Sequence, residues 1–303
     1  MDLKTPKLFD VKGQVALVTG GGSGLGEMMA TSLVQNGAKV FIASRKEKQL
    51  KEVAERLTKQ GPGSCEYIIA DISSKKGCDA LADELKKRTD HLTILVNNSG
   101  TTWGAPYDNF PEAGWRRVLA TNIEAIFYLT AAVTPLLEKK ATPLMPGRVV
   151  NISSIAGFEA KTEGSGLSAE GMGLWSYNTS KAGANALTRQ LAVTLGKRNI
   201  TVNAICPGVY PSKMTKYGLE HDTENLMAKS RALSQLTYNV ARFADSTLLR
   251  MADPMGRIGA PEDIAGLLLF LVSRAGSHVS GNCIMTDGGS YLAGGGYTTP
   301  AKL

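Results

Sequence analysis

The sequence predicts an α/β fold: a doubly wound parallel sheet of about seven strands with helices on both faces. Three observations carry this. Short apolar runs alternate with amphipathic stretches along most of the 303 residues. Those runs are continuous rather than alternating, as strands buried on both faces require. A glycine cluster joins the first run to the first amphipathic stretch.

The elements follow in order. Residues 15–18 form a first strand, and 25–37 a helix that stops at Gly37. Residues 39–44 are a second strand, and the charged stretch 45–60 a second helix. Strands at 66–71 and 92–98 flank a helix at 75–89. A long helix spans about 112–138, a fifth strand 147–153, a helix 176–196 and a sixth strand 200–206. Proline opens a helix at 261–273, and 281–289 reads as a last strand and turn. No repeat or linker divides the chain, which predicts a single domain over 1–303. Two stretches break the rhythm, 158–175 and 208–256. Connections of such length commonly form lids or binding loops.

Composition narrows the function. Hydrophobic residues make up 43% and charged residues 20%, ordinary for a globular protein. No apolar stretch reaches spanning length, so no membrane span is expected. The first residues lack the apolar centre of a secretory signal. Four scattered cysteines and three histidines predict neither a disulfide framework nor a metal site, and suit a reducing, cytoplasmic setting. The net charge of +7 raises nucleic acid as a partner. The basic residues are interleaved with acids, as in "RKEKQLKEVAERLTKQ", which suits a solvated helix face instead. An anionic small molecule accounts for the charge at least as well.

The turn "TGGGSGLG" (19–26) contributes Gly20, Ser23, Gly24, Leu25 and Gly26. Between a first strand and a first helix it lets backbone approach a pyrophosphate, whose charge the helix N-terminus stabilises. A merely tight turn would look similar. In this setting the cluster predicts a Rossmann-type dinucleotide site. The second strand ends "ASRK". Ser44 occupies the place where NAD-binding folds set a carboxylate, and Arg45 follows. A guanidinium binds a 2′-phosphate bidentately, so NADP(H) is the expected cofactor. Arg45 as a solvated start to a charged helix is the alternative.

In "WSYNTSKAG" (175–183), Tyr177 and Lys181 share one helix face. That spacing alone is common by chance. Seven motifs in order change its weight: "TGGGSGLG", "AD" (70–71), "NNSG" (97–100), Asn122 in "TNI", "NISSIAG" (151–157), "YNTSK" (177–181) and "PG" (207–208). Together they resemble the short-chain dehydrogenases/reductases over nearly the whole chain. The resemblance implies hydride transfer between NADP(H) and a carbonyl or alcohol. It implies that Asp71, beside Ile72, binds the adenine, and that "NNSG", through Asn98, lines the cofactor. Ser99 stands where the family more often has alanine. Pro207, Gly208 and Val209 would back the nicotinamide, and Ser212 would contact its carboxamide.

The same resemblance makes Asn122, Ser154, Tyr177 and Lys181 the catalytic set. Ser154, rather than Ser153, matches the family's serine. Tyr177 would be the general acid/base. An ordinary phenol ionises near pH 10, and a cation one helical turn away would lower that value. Lys181 would do this and hold the nicotinamide ribose. Ser154 would hydrogen-bond the substrate oxygen. Asn122 would hold a helix distortion and a water that links Lys181 to solvent. An asparagine kinking a helix for packing alone would look the same. A homotetramer or homodimer is also implied.

Ser154 and Tyr177 stand 23 positions apart, a longer gap than the family usually leaves. The extra 158–175 stretch is either a substrate flap or an oligomer contact. The 208–256 loop carries Met214, Met227, Met251 and Met255 with Tyr210, Tyr217, Tyr238 and Phe243. These suit an apolar substrate or a plain core. With "CPGVYPSKM", the segment resembles fungal and bacterial 3-oxoacyl-carrier-protein-reductase-like members. The last residues, Ala301, Lys302 and Leu303, are a variant of a peroxisomal address. The leading expectation is NADPH-dependent ketone reduction. An alcohol or polyol dehydrogenase running in the oxidative direction, or a cofactor-binding regulator without turnover, are the alternatives.

Overall fold

A computed structural model describes residues 3–163, 168, 171–212, 215 and 254–293. Its centre is one sheet of seven parallel strands: β1 (Val15–Thr19), β2 (Lys39–Ser44), β3 (Ser64–Ile69), β4 (Ile94–Asn97), β5 (Gly147–Ile152), β6 (Ile200–Pro207) and β7 (Cys283–Thr286). Their order is β3-β2-β1-β4-β5-β6-β7. β1 pairs with β2 on one side and β4 on the other; Val18 stands opposite Ile42 and Val96. The chain leaves β1 towards β2 and leaves β4 towards β5. Their connections therefore diverge and open a crevice at the carboxyl ends of β1 and β4, where such sheets bind ligands.

A short helix α1 (Thr5–Leu8) precedes the sheet. Helices α2 (Gly24–Gln35) and α3 (Glu47–Gln60) cover one face. α4 (Lys75–Lys86) covers the other, with the long segment α5 (Glu112–Leu119), a π turn (Ala120–Glu124) and α6 (Ala125–Glu138). α7 (Trp175–Gly196) completes that second face, and α8 (Pro261–Val272) the first. Successive strand residues feed opposite cores. Val18, Ile42 and Val96 pack with Leu33, Leu50 and Leu268, while Leu17, Phe41 and Leu95 pack with Leu81, Leu129 and Leu191. This two-sided burial is why the strands read as unbroken apolar runs.

Two strand predictions shift for local reasons. β3 covers Ser64–Ile69 rather than 66–71. The Thr58 hydroxyl bonds both the N–H and the C=O of Cys65, pinning the strand early. β4 starts at Ile94 rather than residue 92, because the Leu92 N–H donates to the Leu136 carbonyl instead of to a strand. By length and composition the stretch Glu112–Glu138 could also cross a membrane. Here Leu129, Val133 and Leu137 from it pack against the sheet. Of the 208–256 loop, residues 213–214 and 216–253 lie outside the described residues, as does the tail from 294.

Candidate active site

The crevice is built first from backbone. The Thr19 hydroxyl accepts the N–H groups of Asn98 and Ser99, each at 3.0 Å, and the Asn98 side-chain amide donates to the Thr19 carbonyl at 2.8 Å. This laces the ends of β1 and β4 together. Gly20 has φ +66°, and a Cβ there would lie 2.8 Å from the Asn98 amide nitrogen. At Gly26 a Cβ would come within 2.4 Å of the Gly20 carbonyl. No larger residue fits at either point. Ser23 caps α2 without a side-chain hydrogen bond, so the first N–H groups of the helix keep their capacity for an anion.

A cleft of about 660 Å³ runs from this turn. Ser44, Arg45, Asp71 and Ile72 line one part; Tyr177 and Lys181 line another, and Ser212 lies against Gly24 of the turn. Gly20, Ser23, Gly24, Leu25, Gly26 and Asn98 lie between. Arg45 Nη1 stands 3.9 Å from Asp71 Oδ2, both side chains well exposed. Such a pair is weak, which leaves the guanidinium available to a ligand. The Ser73 N–H donates to Asp71 at 3.0 Å. This bond, with a smaller pull from Arg45, holds the carboxyl below the usual carboxylate range. A turn without room for a Cβ, open amides and a serine in place of a carboxylate fit a dinucleotide bearing a 2′-phosphate.

At the inner end, Ser154 and Tyr177 come from different elements. Ser154 follows β5 and caps a 3-10 turn, Ile155–Gly157, accepting the Ala156 N–H at 3.1 Å. A Cβ on Gly157 would lie 2.7 Å from the Lys181 backbone, so this turn packs hard against α7. Ser153 borders the cleft, but its hydroxyl donates to the Lys181 carbonyl at 3.1 Å. Burial pushes the Tyr177 phenol above its ordinary range; a hydrogen bond with Ser154 pulls the other way, and the Glu159 carboxylate adds to the rise.

Lys181 is buried on α7, one helical turn from Tyr177. Its ammonium donates to the Ile152 carbonyl at 2.8 Å and lies 5.6 Å from the Tyr177 ring centre. Burial brings it down to about 8. Asn122 is buried at the π turn rather than exposed in the cleft. Its carbonyl accepts the Thr101 N–H and its amide donates to the Thr101 carbonyl, each at 2.9 Å. The expected helix distortion is this π turn.

Not every expected cofactor residue lines the cleft. Pro207 ends β6, and the Gly208 N–H donates to the Thr286 carbonyl. Val209 lines a neighbouring cavity of about 340 Å³. The 158–175 stretch, described in part, is joined to the loop after β4: Ala105 and Gly173 form an antiparallel bridge. Tyr107 and Phe110 meet Trp175 edge-on at 5.5 and 5.8 Å. Two residues escaped the sequence reading. Glu159 acts on Tyr177 through the path of that stretch. Arg117 lines the cleft because it sits one helical turn before Thr121. That i, i+4 relation to a residue beside Asn122 was the available signal for Arg117.

A family model described as short chain dehydrogenase matches residues 14–223. The chain is 38% identical over 284 residues to a Pseudomonas aeruginosa protein named rhamnolipids biosynthesis 3-oxoacyl-acyl-carrier-protein reductase, covering 94% of this chain and 98% of that one. It is 30% identical to the 5-keto-D-gluconate 5-reductase of Escherichia coli, with 94% and 98% covered. A solved structure of the Pseudomonas aeruginosa RhlG/NADP active-site complex matches with a TM-score of 0.80 at 37% identity, covering 94% of this chain and 99% of that one. The order of the strands, the glycine turn and these matches agree, and the chain belongs to the short-chain dehydrogenase family of oxidoreductases.

Proposed function

We propose that this chain reduces a ketone to a secondary alcohol with NADPH, Tyr177 giving the proton. One observation carries the reading. A phenol that burial pushes above its ordinary range stands, with Lys181 5.6 Å from its ring centre, in the cleft that begins at Gly20. Bound NADPH supplies the hydride. The protein supplies the rest. The Ser154 hydroxyl orients the carbonyl oxygen and stabilises charge developing on it. The Tyr177 O–H gives its proton to that oxygen, so one hydride and one proton convert C=O to CH–OH. A phenol that stays protonated at neutral pH favours this direction over oxidation, which begins from phenolate. Lys181 lies within reach of the phenol and of the cleft, and Asn122 positions the helix that carries both.

The names of the two relatives, a 3-oxoacyl-acyl-carrier-protein reductase and a 5-keto-D-gluconate 5-reductase, support ketone reduction. The contacts of Tyr107 and Phe110 with Trp175, at the start of the helix that carries Tyr177, support 158–175 as a flap over a bulky apolar substrate. A second copy of the chain would cover the outer face of α6 and α7. Phe127 on α6 is 46% exposed and Val193 on α7 76%. The protein would reside in the cytoplasm, or in peroxisomes if the tail is read as an address. A fluorescent protein carrying the last eleven residues separates these, since diffuse fluorescence removes the peroxisomal reading.

The deciding experiment is turnover of NADPH, and separately NADH, across ketones, quinones and 3-oxoacyl thioesters. The expected result is NADPH oxidation that falls about 10²–10⁴-fold in Tyr177→Phe. Equal turnover by Tyr177→Phe removes the proton-donor role. A strict preference for NADH overturns the reading of Arg45.

A further inference from the structure

Among the described residues, Arg117 is the one cation of the cleft wall with no part in the machinery described so far. It lies on α5 and lines the cleft together with Thr101, Thr121 and Tyr177. Its position is built. A Cβ on Gly114 would come within 2.8 Å of the Trp103 ring, so the indole lies flat across that glycine. The Arg117 guanidinium sits over the same ring, 5.8 Å from its centre. A guanidinium stacked in this way keeps its N–H edges open to a planar anion.

Its neighbour in the chain, Arg116, pairs with Glu112. Among the described residues, no carboxylate reaches the Arg117 guanidinium and no acceptor takes a hydrogen bond from it. Among the described residues, the charged ones lining the cleft are Arg45, Arg117, Lys181 and a single carboxylate, Asp71. The described lining of the cleft therefore carries an unbalanced positive charge.

We propose that Arg117 is an anion-binding residue of the outer wall of the cleft, taking phosphate or carboxylate oxygens of a ligand that lies between the glycine turn and Tyr177. The inference rests on the reading of the cleft as a cofactor and substrate channel. The anion comes from one of two sources. One is the pyrophosphate of the cofactor; the other is an acidic group on the substrate.

The test needs binding as well as turnover. Wild type, Arg117→Gln and Arg117→Lys are titrated with NADPH and with NADH, read by the fluorescence of the reduced nicotinamide. The KM values of a ketone bearing a carboxylate and of a neutral ketone of similar shape are then compared. If the cofactor is the source, the Gln variant weakens both Kd values about tenfold and Lys restores part of the loss. If the substrate is the source, both Kd values hold and KM rises about tenfold for the acidic ketone only. Unchanged Kd values with an unchanged KM ratio overturn the proposal. So does an equal loss in Gln and Lys accompanied by a fall in Tm, which assigns Arg117 to packing against Trp103. A wild-type protein that binds neither cofactor overturns the cleft reading itself, and is told apart because it needs no variant.

Discussion

The Asn122 amide donates to the Ser180 hydroxyl at 2.9 Å, and that hydroxyl donates to the Tyr177 carbonyl at 2.7 Å. With its two bonds to Thr101, Asn122 ties three segments together: the loop after β4, the π turn and α7. A π turn widens a helix by one residue and is often found at functional sites. Here it brings a buried side chain level with the turn of α7 that carries Tyr177 and Lys181.

Removing either partner should therefore have unequal effects. Asn122→Ala leaves the N–H and C=O of Thr101 without their partner in a half-buried loop. It should cost about 2–3 kcal/mol of stability and also lower kcat. Ser180→Ala removes one bond to each neighbour and should cost about 1 kcal/mol. Urea unfolding with parallel kinetics checks both values. Equal small losses in the two variants would mean that Asn122 does not organise the loop.

The carboxylate of Glu159 should be visible in the pH profile. Burial is the main cause of the raised Tyr177 phenol, and Glu159 adds to it. Glu159→Gln removes that charge, so the phenol should ionise at lower pH. Alcohol oxidation, which uses phenolate, should begin its rise at lower pH than in wild type. Ketone reduction, which uses phenol, should fall away at lower pH as well. Burial also raises the Glu159 carboxyl, so in acid, where it is protonated, the two proteins should converge. Profiles that superimpose from neutral to alkaline pH would show that Glu159 and Tyr177 do not interact.

Most of the cleft was legible because its residues act through the local chain. The glycine turn needs small residues where a Cβ has no room, and Ser44 and Arg45 end a strand. Tyr177 and Lys181 share a helix face. Each of these is a short-range pattern. The β3 boundary was missed because one hydroxyl, on Thr58, decides it. Glu159 and Arg117 were missed because their importance comes from where a surface stretch and an indole ring happen to lie. The hydrogen bond that Lys181 makes has a similar long-range origin. Helical spacing sets which side chains are neighbours, while the carbonyl of Ile152 decides where the ammonium points.

Lys181 should weaken the fold that holds it. Its ordinary value of 10.5 falls to about 8 on burial. Below about pH 8 both folded and unfolded chains carry the proton, and the folded state bears the whole cost of a buried ammonium. Between about 8 and 10.5 the folded protein has released its proton while the unfolded chain retains it. The unfolded state then binds more protons, so this residue's contribution to stability rises with pH across that window. Lys181→Met should be inactive yet have a higher Tm than wild type at pH 7, with the gap closing towards pH 10. The lost bond to Ile152 offsets part of the gain, by about 1 kcal/mol. A Tm difference that does not change with pH would sink the argument.

The outer face of α6 and α7 supplies the last prediction. Phe127, Ala131 and Pro135 from α6 and Ala182 and Val193 from α7 are all exposed. The Phe127 ring also meets Tyr128 edge-on at 5.5 Å, which extends the apolar surface. An isolated exposed apolar residue is ordinary, whereas a run of them along two helices on one face of the sheet marks an interaction surface. Both helices lie on the second face of the sheet, behind the cleft, so pairing there leaves the active site open. Val193→Glu should introduce an unpaired charge into the pairing surface and shift the sedimentation mass towards that of one chain. Lys59→Glu, on α3 across the sheet, should leave the mass unchanged. A wild-type protein that sediments as one chain at every concentration, or a Val193→Glu variant with the mass of wild type, would show that a second copy does not cover this face.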